Sequence, residues 1–144
     1  MKYLLLVSHG DFSSGLKQTL SMFSGDAIKT VLAVGLKSGE AIATFGRRFE
    51  GTLAQLPDNA QFIVLADIIG GSPLTTVCNV LSQQGKLRGS FVLGGMNFPM
   101  ALTALMSKDT MNNFDLKQKL LTEATGAIKP LDIEATVELS DDDI

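Results

Sequence analysis

The chain has 144 residues, the usual length of one compact domain. Its content of 45% hydrophobic and 19% charged residues excludes an intrinsically disordered chain, and no apolar run reaches the roughly 18 residues that a membrane-spanning helix needs. The net charge of −3 comes from 12 basic and 15 acidic residues, without the clusters of Lys and Arg that a nucleic-acid surface requires.

The first half of the chain alternates strand and helix patterns. Residues 3–7 form a nearly continuous apolar run, which is typical of a strand buried on both faces. A helix that Ser13 or Ser14 can cap follows, residues 30–36 predict a second strand, and another helical segment opens at Ser38. The apolar faces of these two helices consist of Leu16, Leu20 and Phe23, and of Ile42, Phe45, Phe49, Leu53 and Leu56.

The second half continues the alternation. Residues 61–66 predict a third strand, after which Ser72 as N-cap and Pro73 at the first helical position start a helix that Gly85 ends. Residues 90–93 predict a fourth strand. The apolar face of the intervening helix consists of Leu74, Val77, Val80 and Leu81.

Two further helices are predicted over 99–106 and 115–124. Alternating strands and helices with short turns predict an α/β fold, a doubly wound and mostly parallel sheet with helices on both faces. We expect residues 1–130 to form one domain. The remainder, 131–144, is expected to add a late strand over 132–139 and an acidic tail to the same domain.

Cysteine and histidine each occur once, as Cys78 and His9. A lone cysteine excludes an internal disulfide, and with six methionines it is typical of a reducing cytoplasm. Neither a zinc ligand set nor a Walker or dinucleotide-binding motif is present, so no metal or cofactor is predicted. Cys78 is predicted to pack against the core, and Met96, Met100 and Met106 to fill the core or an interface.

Polar residues stand where two predicted strands end. His9 closes the first strand and Asp67 follows the third, while Gly70, Gly71 and Ser72 lead into a helix. In an open α/β sheet, ligands collect at the carboxyl ends of the strands where the winding reverses. If these two strands are neighbours, the groups converge, and a helix start preceded by glycine amides suits a phosphoryl group.

A histidine beside a carboxylate can act as a nucleophile. Asp67 can accept a hydrogen bond from one ring nitrogen of His9, which leaves a lone pair on the other and stabilises positive charge on the ring. The sequence also permits a purely structural interpretation, in which Asp67 satisfies the amides of Gly70 and Gly71 in a tight strand-to-helix turn.

Three motifs together resemble the IIA component of mannose-family sugar phosphotransferase systems. They are Val7–Gly10 with Gly15–Leu16, Asp67–Pro73, and Gly95–Met100, and the resemblance covers about residues 1–130. Two positions depart from the family pattern: Leu74-Thr75 stands where Phe-Asn is frequent, and Ser13 where Ala is frequent.

The resemblance implies a phosphoryl carrier. His9 would be phosphorylated by the carrier protein HPr and pass the group to a IIB component, with Asp67 orienting the ring and Ser72 close to the phosphoryl group. Contacts to the phosphate are expected from Gly10, Gly70, Gly71 and Ser72.

Further partners follow from the same resemblance. It implies a homodimer in which a C-terminal strand around residues 128–137 crosses to the partner, and only an indirect link to the membrane subunits IIC and IID. Nucleic acid is not expected as a partner. Two alternatives stay open: a regulatory module controlled by phosphorylation of His9, and the phosphocarrier subunit of dihydroxyacetone kinase.

Overall fold

A computed structural model describes residues 1–134 of the chain. Within this range the chain forms four strands and five α-helices, with a short 3-10 helix over Gly25–Thr30 that the sequence patterns did not indicate. In chain order they are β1 (Lys2–His9), α1 (Phe12–Ser24), β2 (Val31–Leu36), α2 (Ile42–Ala54), β3 (Gln61–Ala66), α3 (Ser72–Gln83), β4 (Phe91–Leu93), α4 (Phe98–Ser107) and α5 (Asn113–Gly126).

The four strands form one parallel sheet in the order β2-β1-β3-β4. The chain winds from β1 outward to β2, then crosses back over β1 to β3 and continues to β4. The winding therefore reverses between β1 and β3, which are hydrogen-bonded neighbours paired from Lys2↔Gln61 to Val7↔Ala66. The predicted α/β class and doubly wound parallel sheet are confirmed, and the first and third strands are neighbours, which is the condition under which their polar residues converge.

Both faces of the sheet are covered by helices because successive side chains of a strand point to opposite faces. Leu4 and Leu6 of β1 lie in a core with residues of α1, α4 and α5. Leu5 and Val7 lie in a second core with residues of α2 and α3. This double burial explains why β1 is a continuous apolar run rather than an alternating one.

Two predicted helix caps are wrong. The first helix begins at Phe12 after Asp11, so Ser13 lies inside it, where its main-chain N–H is held by the Ser8 hydroxyl at 2.8 Å. Likewise Gly71, with extended backbone, is the residue before α3, which makes Ser72 the first helical residue.

The start of the second helix also differs from the prediction. The second helix begins at Ile42 rather than near Ser38, because residues 37–41 form a turn in which the Lys37 amide donates to Glu40. Side-chain caps do occur at Asn97 and Asn112, which accept hydrogen bonds from main-chain amides of the first helical turn.

The late strand is not seen where the structure can test it. Residues 128–134 contain no strand, and residues 135–139 of that prediction lie outside the described residues. The domain division at residue 130 stays a prediction. Within the described part of the chain, no helix has both the length and the apolar character to cross a bilayer.

Candidate active site

The carboxyl ends of β1 and β3 bring His9 and Asp67 together. The Nδ1 atom of the His9 ring lies 2.8 Å from Oδ2 of Asp67. The same oxygen accepts the main-chain N–H of His9 at 2.9 Å, and the other carboxylate oxygen accepts the N–H of Ile68 at 2.9 Å. Among residues 1–134, these His9 and Ile68 groups are the donors to Asp67; the amides of Gly70 and Gly71 are not.

The environment keeps Asp67 ionised while leaving the histidine accessible. The Asp67 side chain is 14% exposed, and that of His9 is 50% exposed. Desolvation raises the pKa of Asp67, but the hydrogen bonds from the His9 amide, the His9 ring and the Ile68 amide together outweigh it, and the pKa is lowered. Since an ionised carboxylate can only accept, Nδ1 of His9 carries the proton. In a neutral ring with this tautomer, the lone pair is on Nε2.

Gly71 provides the space in which the ring lies. A Cβ atom added at Gly71 would stand 2.8 Å from Cε1 of His9, the ring carbon between the two nitrogens. Its backbone conformation is one that any residue can adopt, so the requirement for glycine here is one of space. By contrast Gly10 and Gly70, with φ of +55° and +85°, adopt left-handed conformations that favour glycine.

Ser72 lies beside the ring site rather than against Asp67. It is exposed and lines a surface cavity of about 270 Å³ together with Gly70, Ile42 and the hydroxyl-bearing Thr75 and Thr76. The structure thus assembles His9, Asp67 and Gly71 in direct contact. It places Gly70 and Ser72 at the neighbouring start of α3.

The backbone after His9 rests on the end of β2, a contact that the sequence reasoning missed. The N–H of Gly10 donates to the carbonyl of Leu36 at 2.7 Å. A Cβ atom at Gly35 would come within 2.1 Å of the Gly10 carbonyl oxygen, so only a glycine allows this approach. A lone glycine inside the apolar run of residues 30–36 was the available signal, because such a glycine often marks a close backbone approach.

Large apolar residues that lie close to His9 and Asp67 in the chain are exposed. Phe12, Ile68 and Ile69 are 52%, 52% and 68% exposed, although they are large hydrophobic residues. The loop that carries Ile68 and Ile69 is held by the residues that follow β4. The Ile69 side chain packs on Gly94, and the N–H of Met96 donates to the carbonyl of Ala66 at 2.9 Å. Exposed apolar groups beside a reactive centre are typical of a surface that meets another protein.

The residues that the sequence predicted to fill the core or an interface differ in how deeply they are buried. Met96 and Met100 are buried in the core, whereas Met106 is 62% exposed. Cys78 is partly buried against the core between the sheet and α2 and α3, and desolvation raises the pKa of its thiol. A partly buried thiol with a raised pKa has little nucleophilic character, which agrees with its predicted packing role.

This arrangement can perform nucleophilic chemistry at a nitrogen. A neutral imidazole with its proton on Nδ1 presents Nε2 as a nucleophile, and a carboxylate against Nδ1 stabilises the positive charge that develops when Nε2 forms a bond. Gly71, beside the ring, directly precedes the N-terminus of α3, and a helix N-terminus favours an anionic group.

Comparison with known proteins gives a consistent match. The family model EIIA-man, described as PTS system fructose IIA component, matches residues 3–121. The fructose-specific EIIA component of the PTS system of Bacillus subtilis is 26% identical over 117 residues, which are 81% of this chain and 77% of that protein. The mannose-specific EIIAB component of Escherichia coli strain K12 is 26% identical over 112 residues, 78% of this chain but 33% of that longer protein.

A solved structure shows the same fold. The PTS IIA protein associated with the fucose utilization operon of Streptococcus pneumoniae superimposes with a TM-score of 0.74 at 29% sequence identity. The superposition covers 94% of this chain and 96% of that one.

Proposed function

Because the chain belongs to the EIIA-man family, the fructose IIA components of the phosphotransferase system, we propose that it accepts a phosphoryl group from HPr on His9 and passes it to a IIB component. Proteins of this family are phosphotransferase components. The observation that carries the proposal is the 2.8 Å contact between Nδ1 of His9 and Asp67, which leaves Nε2 as the free nucleophile.

The transfer is an exchange of one bond to phosphorus for another. As the bond between phosphorus and the phosphorylated donor breaks, a bond forms between phosphorus and Nε2 of His9. The ring, which keeps its proton on Nδ1, then carries a positive charge that the Asp67 carboxylate at 2.8 Å stabilises. In the second step the IIB component attacks phosphorus, the bond to Nε2 breaks, and the ring returns to its neutral form.

The surroundings of the ring suit the phosphoryl group. Gly70 and Gly71 precede the 12-residue helix α3, whose first main-chain amides have no helical partner and carry a partial positive charge. We assign the phosphate contacts to the amides of Gly70 and Gly71 and to the hydroxyl of Ser72, whereas the N–H of Gly10 already donates to the carbonyl of Leu36. The exposed, uncharged hydroxyl of Ser72 can donate a hydrogen bond to a phosphate oxygen.

The exposed apolar side chains of Phe12, Ile68 and Ile69 support protein partners rather than a small substrate. HPr and the IIB component would dock there in turn, since both must bring a reactive group to the same Nε2 atom. The E. coli relative is named an EIIAB component, and this chain matches a third of its length. We assign the relay to the cytoplasm, with the membrane subunits IIC and IID reached only through IIB.

The test is phosphorylation in a reconstituted system. The protein is incubated with phosphoenolpyruvate, enzyme I and HPr, and mass spectrometry locates the phosphate. We expect one acid-labile, base-stable phosphate on His9, none in His9→Ala, and an unchanged site of modification in Ser72→Ala. Phosphate that persists on a serine or aspartate in His9→Ala contradicts the proposal.

A second assay distinguishes a relay from a regulatory module. Phosphorylated protein is freed of HPr and mixed with a purified IIB component. Loss of phosphate from His9 with its appearance on IIB supports the relay, whereas a stable phosphohistidine in the presence of every IIB tested supports regulation.

We assign a homodimer to the protein, as the family resemblance implies. Light scattering at micromolar concentration is expected to give twice the chain mass of 15.3 kDa. A monomer at that concentration contradicts the assignment.

A further inference from the structure

The ion pair between Arg48 and Glu40 joins helix α2, the end of strand β2 and the turn between them. The Arg48 guanidinium on α2 donates from Nε to Oε2 of Glu40 at 2.8 Å and from Nη2 to Oε1 at 2.8 Å. The same Nη2 donates to the carbonyl of Gly35 at 2.8 Å. Glu40 also accepts the N–H of Lys37 at 3.1 Å, which closes the turn after β2.

Several features make this pair more rigid than an ordinary surface pair. The two parallel bonds match the planar fork of arginine to a carboxylate, a geometry that is stronger and more specific than a single contact. The Glu40 side chain is only 8% exposed, and the Arg48 guanidinium lies 5.4 Å from the centre of the Phe45 ring. The hydrogen bonds from Arg48 and Lys37 lower the pKa of Glu40 to about 2.

The Gly35 carbonyl that Arg48 binds belongs to an edge strand of the described sheet. Carbonyls alternate in direction along a strand, and that of Leu36 points to β1, where it accepts the N–H of Gly10. The Gly35 carbonyl therefore points away from the sheet, and Arg48 satisfies it from outside. In consequence the last two residues of β2 are held from both sides, by Gly10 and by Arg48.

The held residues are those that support the backbone next to His9. The N–H of Gly10 donates to the carbonyl of Leu36 at 2.7 Å. The carbonyl oxygen of Gly10 lies 2.1 Å from the position that a Cβ atom of Gly35 would occupy. From these contacts we infer that Arg48, Glu40 and Gly35 are positioning residues for His9. They fix the end of β2, on which the Gly10 peptide rests, and thereby the direction in which Nε2 points.

The consequence for phosphoryl transfer rests on the proposed function. A displacement of about 1 Å at a reacting atom can cost about a hundredfold in rate, so loss of this support should lower the saturated transfer rate and leave partner affinity unchanged. A merely structural ion pair would instead lower the melting temperature and leave the rate per folded molecule at its original value.

The test compares two adjacent arginines of α2. Arg48→Met removes the bonds to both Glu40 and Gly35. Arg47→Met is the matched control, because Arg47 contacts only the Thr44 hydroxyl at 3.4 Å among the described residues. Arg48→Lys keeps the charge but can keep only part of the three hydrogen bonds that Arg48 makes to Glu40 and Gly35. Gly35→Ala is the more direct change, but a Cβ at 2.1 Å from a main-chain oxygen can prevent folding.

Two readouts are measured on each folded variant. Amide hydrogen exchange at Gly10 and the nitrogen chemical shifts of the His9 ring report the position of the loop without any transfer. Rapid-quench transfer from phosphorylated HPr, at saturating and at low donor concentration, separates kcat from KM.

For Arg48→Met we expect exchange at Gly10 and the saturated transfer rate each to change by about tenfold or more, with KM within about twofold. Arg48→Lys should recover part of both changes, and Arg47→Met should show neither. The inference is overturned if Arg48→Met lowers only the melting temperature, or if Arg47→Met has the same effect. If the wild-type protein accepts no phosphate, the proposed function fails, and the exchange and ring shifts alone decide the positioning role.

Discussion

The contact between Asp67 and His9 gives the sharpest test of the site, through the replacement Asp67→Asn. Oδ2 of Asp67 accepts two donors of His9, and Oδ1 accepts the N–H of Ile68. Asparagine has one carbonyl oxygen and two amide hydrogens, so it can keep the two His9 bonds only by turning its NH₂ group towards Ile68. The variant therefore keeps the ring orientation but loses the negative charge and one hydrogen bond.

The expected rate loss follows from that charge. Two unit charges about 4 Å apart near a protein surface, at an effective dielectric constant of about 20, attract each other by about 4 kcal/mol. The His9 side chain is half exposed, which reduces this attraction, so we expect a loss of about 2 to 3 kcal/mol of transition-state stabilisation. That corresponds to about a 30- to 150-fold slower transfer.

The expected loss of stability is smaller. Asp67→Asn removes one bond to a main-chain N–H, worth about 0.5 to 1.5 kcal/mol. Asp67→Ala removes all three bonds and leaves the His9 and Ile68 amides without their acceptor, so its cost is larger. The asparagine variant separates catalysis from folding better, because most of the hydrogen-bond network survives.

The assay measures transfer from saturating phosphorylated HPr, divided by the folded fraction from urea unfolding. Asp11→Asn is the matched control, since Asp11 is an exposed acid at the same edge whose side chain makes no capping bond. Asp11→Asn should transfer at nearly the wild-type rate. Equal losses in the two variants, or a wild-type rate in Asp67→Asn with a large drop in melting temperature, would refute the charge argument.

Three other predictions concern acid stability, ring space and buried polarity. The pKa of Glu40 in the folded protein is lowered from 4.5 to about 2, so its contribution to stability is present above pH 4.5 and is lost as the pH falls towards 2. In urea unfolding, the free energies of unfolding of wild type and Glu40→Gln should therefore converge as the pH falls through that interval. Gly71→Ala should slow transfer and shift the ring resonances of His9, because its Cβ would lie 2.8 Å from that ring. Gly51→Ala, whose Cβ would lie in open space on α2, should instead raise the free energy of unfolding by about 0.5 to 1 kcal/mol. Ser13→Ala should stabilise the protein by up to about 1 kcal/mol in denaturant unfolding, because the buried Ser13 hydroxyl has no hydrogen-bond partner within residues 1–134. Ser14→Ala, which loses an exposed bond, should not.

Local patterns were sufficient for the elements and for the residue types of the site. The apolar runs at residues 3–7 and 61–66 predict strands buried on both faces, and both are found in the centre of the sheet. His9 and Asp67 were visible because they are polar residues at the ends of these two strands, where chemistry in parallel sheets collects. These features depend on periodicity and on position along one strand, both of which the sequence contains.

Helix starts were less predictable, because the groups that satisfy a helix end need not be next to it in the chain. Ser72 has the composition of an N-cap, yet the backbone places it inside α3 and leaves Gly71 beside the His9 ring. In the same way the buried Ser13 N–H is satisfied by Ser8, on the preceding strand. A cap predicted from composition competes with every other acceptor that the fold brings near.

The tertiary structure alone decided how the site is held. The sequence left two partners open for Asp67, the His9 ring and the glycine amides. The pairing of β1 with β3 directs its oxygens to the main chain and ring of His9. The supports of Gly10 come from β2 and α2, through Gly35 and Arg48. No periodicity links positions so far apart in the chain, because such contacts arise only when the order of the strands in the sheet has been set.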